Sequence, residues 1–117
     1  LINAVRRNDV GLIKRLLSNG TDAKATNNDG ETALMFDARK GDNNIVEILL
    51  PKSDAKAVSN SGYTALMLAA KYGNNKMVER LLPMSDPKAT NWRRETAYDL
   101  AKKYHHYQIV RLLKKHI

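Results

Sequence analysis

The sequence predicts an all-α solenoid of stacked helix–turn–helix units joined by hairpin-like loops. Three observations lead there. Thr64-Ala65-Leu66-Met67 has a relative 32 residues earlier, Thr32-Ala33-Leu34-Met35, and another 32 residues later, Thr96-Ala97-Tyr98-Asp99. A fixed period of this size marks a repeat array. Within each copy the apolar residues keep helical spacing, in two short runs. The same breakers, Gly, Asn, Pro and Asp, then recur between the runs.

Superimposed, the copies divide one domain, residues 1–117, into units 1–31, 32–63, 64–95 and 96–117. In the third unit Thr64 is a suitable N-cap, its hydroxyl able to accept from a backbone N–H about three residues on. Leu66, Met67, Ala69 and Ala70 form one apolar helical face. Gly73 follows, where a helix end favours a left-handed residue; its equivalents are Asn8, Gly41 and His105. Asn and His are among the few other residues enriched at positive φ. Asn74 is placed to cap a second helix, whose face is Met77, Val78, Leu81 and Leu82. Pro83, like Pro51, is expected to stop that helix and to push the residue before it out of helical geometry. Loops then carry Asp22-Ala23-Lys24, Asp54-Ala55-Lys56 and Asp86-Pro87-Lys88. Helices this short are unstable alone, so each pair must bury its apolar face on the next. The outermost units should be polar on their outer sides, and Lys102 stands where the inner units have Ala38 and Ala70.

These residues resemble the ankyrin repeat. The stretches 32–38 and 64–70, Gly41 and Gly73, the helices ending Leu49-Leu50 and Leu81-Leu82, and the hairpin ends Asp29-Gly30 and Ser61-Gly62 follow its pattern across essentially the whole chain. Some positions depart from it. Ala33, Ala65 and Ala97 replace its Pro, and Met35, Met67 and Asp99 replace its His. Arg94 replaces the last hairpin's Gly, which puts that hairpin's geometry in question. Asp37 stands where the other units have Ala4, Ala69 and Ala101. A buried carboxylate without a partner is costly, so Asp37 is expected to be paired, exposed or protonated, with Arg6, Arg39 and Lys71 as candidate partners. It reads as a tolerated substitution ahead of a recognition point for a basic ligand group.

Composition limits the chemistry. With no Cys there is neither a disulfide framework nor a thiolate metal site. No phosphate-binding Gly-rich motif or nucleophile elbow is present. His105 and His106 are adjacent and would point apart on a helix, a poor chelating pair. No enzyme activity, metal or cofactor is expected. No apolar run reaches the ~18 residues of a membrane span, and no signal peptide is evident. An intracellular, cytoplasmic monomer is the expectation. A start at Leu1 predicts a segment cut from a longer protein.

The net charge of +8 is uneven: residues 1–63 hold 9 basic and 8 acidic side chains, residues 64–117 hold 11 and 4. This imbalance predicts an acidic partner at one end. The family resemblance implies that partners dock on the concave side, made of helix-one ends and hairpin tips. By position those are Arg6, Arg7, Arg39, Lys40, Lys71, Tyr72, Lys103 and Tyr104 from the helices, and Asn28, Asp29, Asn60, Ser61, Tyr63, Trp92 and Arg93 from the tips. The expected face is a basic ladder set with aromatics, types that dominate interface hot spots. The expected function is a non-catalytic scaffold binding an acidic protein or peptide. Two alternatives remain at this level: a nucleic-acid-binding module, although Asp29, Glu31, Asp37 and Glu95 would interrupt a phosphate track, or the repeat arm of a larger enzyme such as a kinase. Lys and Arg are also ordinary helix-surface residues, and the tyrosines could serve partly to cover the core.

Overall fold

The computed structural model describes residues 1–116; Ile117, the last residue of the expected fourth unit, lies outside the described residues. Among the described residues eight α-helices follow in pairs: α1 (Ile2–Arg6) and α2 (Val10–Ser18), α3 (Ala33–Lys40) and α4 (Asn43–Leu49), α5 (Ala65–Lys71) and α6 (Asn75–Leu81), α7 (Ala97–Lys103) and α8 (Tyr107–Lys114). The first helices of the pairs stack in sequence, α1 on α3 on α5 on α7, and α4, α6 and α8 pack in a second row. The body measures 39 × 25 × 21 Å. No β-strand occurs among the described residues.

The second, third and fourth pairs are each started by a Thr, whereas α1 follows Leu1 without a side-chain cap. Thr32, Thr64 and Thr96 accept from Met35, Met67 and Asp99 backbone N–H groups at 3.3, 3.2 and 3.2 Å. Asp99 answers by accepting from the Thr96 N–H at 3.0 Å, a reciprocal capping box. At the turn between helices Asn8, Gly41, Gly73 and His105 all take positive φ, from 57° to 76°. The loop aspartates repeat one turn: Asp22, Asp54 and Asp86 each accept from the N–H two residues on, at 2.9, 3.0 and 2.9 Å. The core is a continuous aliphatic column including Leu34, Ile45, Leu49, Leu66, Met67, Met77, Leu81, Leu100 and Ile109. Lys102 lies exposed, its ammonium 5.8 Å from the Tyr98 ring centre.

Three local expectations are corrected. Pro51 and Pro83 do not push their preceding residues out of helical geometry. Leu50 and Leu82 stay helical (φ −57°, ψ −43° and φ −55°, ψ −45°), and each chain continues as a single 3-10 turn through Pro. Burial of both leucines holds them in place. Ser53 and Ser85 hydroxyls donate to the Leu49 and Leu81 carbonyls at 2.7 Å, satisfying groups the helix ends leave open. Asn74 occupies an N-cap position without capping; its amide reaches back to the Ala38 and Arg39 carbonyls at 2.6 and 3.2 Å. Arg94 adopts φ 63°, and the last hairpin keeps the turn bonds of the others: Arg94 N–H to Asn91 at 3.0 Å, beside Gly62 N–H to Ser59 at 2.9 Å.

Asp37 is fully buried, at 0% exposure, and neither carboxylate oxygen has a hydrogen-bond partner. None of the expected cations reaches it. Arg39 turns to Glu31, Arg6 and Arg39 lie over the Phe36 ring at 5.9 and 5.1 Å, and Lys71 faces tyrosines. Burial, with the neighbouring Asp42 charge, raises its pKa to about 7. The Asp42 backbone N–H favours the charged form but falls short of hydrogen-bond geometry, and Lys40 offsets little. Of the three expected states, the protonated one describes Asp37 below neutral pH.

Candidate functional site: a tyrosine-lined groove

The C-terminal ends of α3, α5 and α7 and the tips of the hairpins over residues 27–31, 59–63 and 91–95 face one another along one side. Each hairpin is tied to the next. Asn60 N–H donates to the Asp29 carbonyl at 2.9 Å, and Trp92 N–H donates to that of Ser61 at 3.1 Å. The Asn60 amide adds a bond to the Asn28 carbonyl at 3.1 Å. The tips are therefore held at the spacing of the helices they oppose.

Two open grooves result. One, of about 310 Å³, is lined by Ser61, Tyr63, Lys71, Trp92, Lys103 and Tyr104 among others. The second, of about 240 Å³, is lined by Asp29, Arg39, Asn60, Tyr63, Lys71 and Tyr72 among others. They share Ser61, Tyr63 and Lys71, which stand at the junction. Arg93 also lines the first groove. Arg6 lines neither, opening instead onto a separate hollow with Phe36, Leu1 and Ile2. Arg7, Asn28 and Lys40 line none of these three.

Three exposed aromatics gather here, while Tyr107, 57% exposed, lies outside both grooves. Trp92 is 78% exposed, Tyr72 49% and Tyr104 41%. Lys71 is half-buried among three tyrosines, with its ammonium 5.5 Å from the Tyr63 ring centre and 5.6 Å from those of Tyr72 and Tyr104. These are cation–π distances.

Similarity to known families agrees with the stacked pairs. A family model of ankyrin repeats in three copies matches residues 1–91 and again 38–117. The chain belongs to the ankyrin repeat family. Ankyrin repeats are in general protein–protein interaction modules and are typically non-catalytic. No curated protein gives a significant match. No helix of the described residues is long and apolar enough to cross a membrane.

The charges on this ankyrin face are not the ladder the sequence led us to expect. Arg39 is ion-paired with Glu31, and Lys103 lies 3.4 Å from Glu95. Glu95 is held below the usual carboxylate range first by the Asn91 amide, at 3.0 Å, with Lys103 adding to it. The Lys40 ammonium leaves the face to bind the Val5 carbonyl at 3.2 Å, the Arg6 carbonyl and Asn8. Lys71 has no carboxylate within ion-pair distance among the described residues. Cations counted by position alone do not reveal these internal partners. The separation of eight residues common to Glu31–Arg39 and Glu95–Lys103 was the signal available. His106 was also missed: its Nε2 meets the Lys71 carbonyl at 2.9 Å, and His105 Nδ1 meets the Tyr107 hydroxyl at 2.8 Å.

Proposed function

We propose that this ankyrin chain is a non-catalytic binding module, residues 1–117 acting as one monomeric domain of four units. Its partner is an acidic protein segment lying along the joined grooves. The observation that carries the reading is the set of Tyr63, Tyr72 and Tyr104 around the Lys71 ammonium, with the exposed Trp92 lining the same groove. Aromatic side chains exposed to this degree lose water-facing apolar area when covered, and they dominate binding energy where they cluster. Ion pairing inside the face does not reverse its sign. Arg6, Arg7, Lys71 and Arg93 lie outside the internal ion pairs, and the C-terminal half as a whole is basic. Nucleic acid fits less well, because Asp29, Glu31 and Glu95 interrupt the line that a phosphate backbone, charged at every nucleotide, would follow, whereas a protein segment can place its carboxylates between them.

The test is affinity capture from the source cell with wild type and a Tyr72→Ala/Trp92→Ala variant, followed by identification of what the variant loses. An acidic protein held by the wild type and lost by the variant, at unchanged melting temperature, is the expected result. Random duplex or single-stranded DNA that still binds at about 150 mM salt, with no protein captured, overturns it, since phosphate-driven complexes weaken steeply with salt.

A further inference from the structure

The hairpins and the helix ends opposite them carry a repeated ion pair that the central pair of helices breaks. In the first hairpin Asn27 accepts from the Asp29 and Glu31 N–H groups at 3.0 and 2.9 Å, and its amide donates to the Glu31 carboxylate at 3.1 Å. Glu31, so oriented, holds Arg39. The third hairpin repeats this arrangement atom for atom. Asn91 accepts from the Arg93 and Glu95 N–H groups at 2.9 and 3.0 Å, donates to Glu95 at 3.0 Å, and Glu95 faces Lys103. In the middle hairpin both acceptor residues change together. Ser59 stands for the Asn, accepting from the Tyr63 N–H at 3.2 Å, and Tyr63 stands for the Glu. The cation remains, as Lys71.

We propose that Lys71 is a binding site for one carboxylate side chain, an Asp or Glu supplied by the protein partner, which makes with Lys71 the ion pair that Glu31 and Glu95 make with Arg39 and Lys103 in the neighbouring pairs. This rests on the concave-face reading above and narrows it to one position and one functional group. Three features define the site. The backbone geometry for a carboxylate facing this cation is already used twice in the same molecule. The Tyr63, Tyr72 and Tyr104 rings hold the ammonium by their faces and shield it from water on several sides, which strengthens a charge-assisted hydrogen bond made there. Ring faces do not accept as a carboxylate does, so the N–H donors of Lys71 remain available to a ligand.

The site selects a carboxylate over a phosphate. A phosphate monoester carries nearly two negative charges and three strong acceptor oxygens, and is held best by clustered Arg side chains. Lys71 is a single ammonium, and Glu31 and Glu95 line the two grooves that meet at it. One ammonium balances one carboxylate, whereas a phosphate's second charge would find, among the described residues at the junction, no further free cation between the paired Glu31 and Glu95. Tyr63 also lines both grooves, so it keeps the internal carboxylate out while adding apolar surface beside the incoming one.

Tyr63→Glu tests this directly, because it installs the internal partner used in the neighbouring pairs. The probes are a short synthetic peptide alternating Glu with Leu, its Gln counterpart and its phosphoserine counterpart. The readout is NMR titration of the Lys71 side chain and the Tyr104 ring. Expected are saturable shifts with the Glu peptide, binding about tenfold weaker or less for the Gln peptide, and a loss of at least about tenfold in Tyr63→Glu. Tyr63→Gln, the shape of Glu without its charge, loses the ring's contribution and falls clearly less than Tyr63→Glu, and both variants melt near the wild type. The proposal is overturned if the Glu peptide leaves wild-type Lys71 unshifted, if Tyr63→Glu binds like the wild type, if Tyr63→Gln falls as far as Tyr63→Glu, or if the phosphoserine peptide is the tighter ligand. Tyr72→Ala/Trp92→Ala, titrated alongside, separates the two readings. Binding lost there and kept in Tyr63→Glu leaves the face standing and removes the Lys71 site. Binding unchanged in both removes the face as well.

Discussion

Between α3–α4 and α5–α6 the backbone repeats and the charges do not: Asp37 becomes Ala69, Asp42 becomes Asn74, Lys40 becomes Tyr72 and Glu31 becomes Tyr63. The earlier pair spends its ionic groups inside the stack, Glu47 on Arg80 of the following pair among them. Glu31 neutralises Arg39, and Lys40 bonds to carbonyls of the first pair. Asp42 caps its own helix through the Asn44 and Ile45 N–H groups at 2.9 and 3.2 Å. The later pair has an all-apolar α5 interior, an Asn74 amide that ties it to its neighbour, and a cation set among rings. A stack of this kind needs one backbone and one apolar column; the ionic groups are therefore open to change from pair to pair, and they change most where a surface could be put to use.

The largest expected effect comes from erasing the buried difference. Asp37→Ala makes α3 match α5 and α7 at that position. The sign of its pH dependence follows from the raised pKa. In the unfolded chain Asp37 ionises near its ordinary value of 3.8, in the folded chain near 7. Between these the folded state binds the extra proton, so stability falls as pH rises from about 4 to about 7 and stays at its lowest above that. Asp37→Ala is expected to stabilise by on the order of 3 kcal/mol at pH 8 and by much less at pH 4. Thermal denaturation at both pH values checks it. A lower melting temperature for the variant at pH 8, or the same gain at both, contradicts the account.

The residues legible in the sequence were those whose role is local. Thr32, Thr64 and Thr96 cap helices because a hydroxyl reaches only its own first turn. Asn8 and His105 could be placed at the left-handed turn by alignment with Gly41 and Gly73, because backbone φ is a property of one position. The illegible part was the choice among competing partners. Arg39 had Asp37 and Glu31 within sequence reach, and only the fold of the first hairpin decides for Glu31. Asn74 looked like a local cap and His106 like half of a poor chelating pair, yet both bond to the preceding pair. Lys71 was read as one rung among many. Its distinction lies in Tyr63, eight residues back, and appears only once Glu31–Arg39 and Glu95–Lys103 are known to be pairs.

A smaller effect sharpens the comparison between inner and outer turns. Gly73 and His105 share the left-handed conformation, at φ 75° and 66°. At Gly73 an added Cβ would lie 2.6 Å from His106 Cε1, a ring already anchored on the Lys71 carbonyl. No helix pair follows His105 among the described residues. Gly73→Ala should therefore cost about 2 kcal/mol, of which about half is the left-handed backbone and the remainder the displaced His106 ring. Gly73→Ala combined with His106→Ala is expected to cost less than the sum of the two single changes, because the ring is the obstacle. Additive losses in denaturant unfolding would assign the whole effect to backbone strain.

The smallest effect lies in the hairpins. Gly30 and Gly62 are covered by the hairpin that follows each: an added Cβ would come within 2.6 Å of Asn60 Oδ1 in the first case and 3.0 Å of the Trp92 N in the second. The third hairpin has no successor among the described residues, so a side chain at Arg94 meets no such neighbour and only its positive φ is unfavourable. Arg94→Gly removes that strain, while the freer unfolded chain offsets part of the gain. The net expectation is a stabilisation of about 0.5–1 kcal/mol, a rise of roughly 2–6 °C in melting temperature. Arg94→Ala serves as the control, since it discards the guanidinium and keeps the strain. If Arg94→Ala gains as much as Arg94→Gly, charge repulsion on this basic face, rather than backbone geometry, is what Arg94 costs the fold.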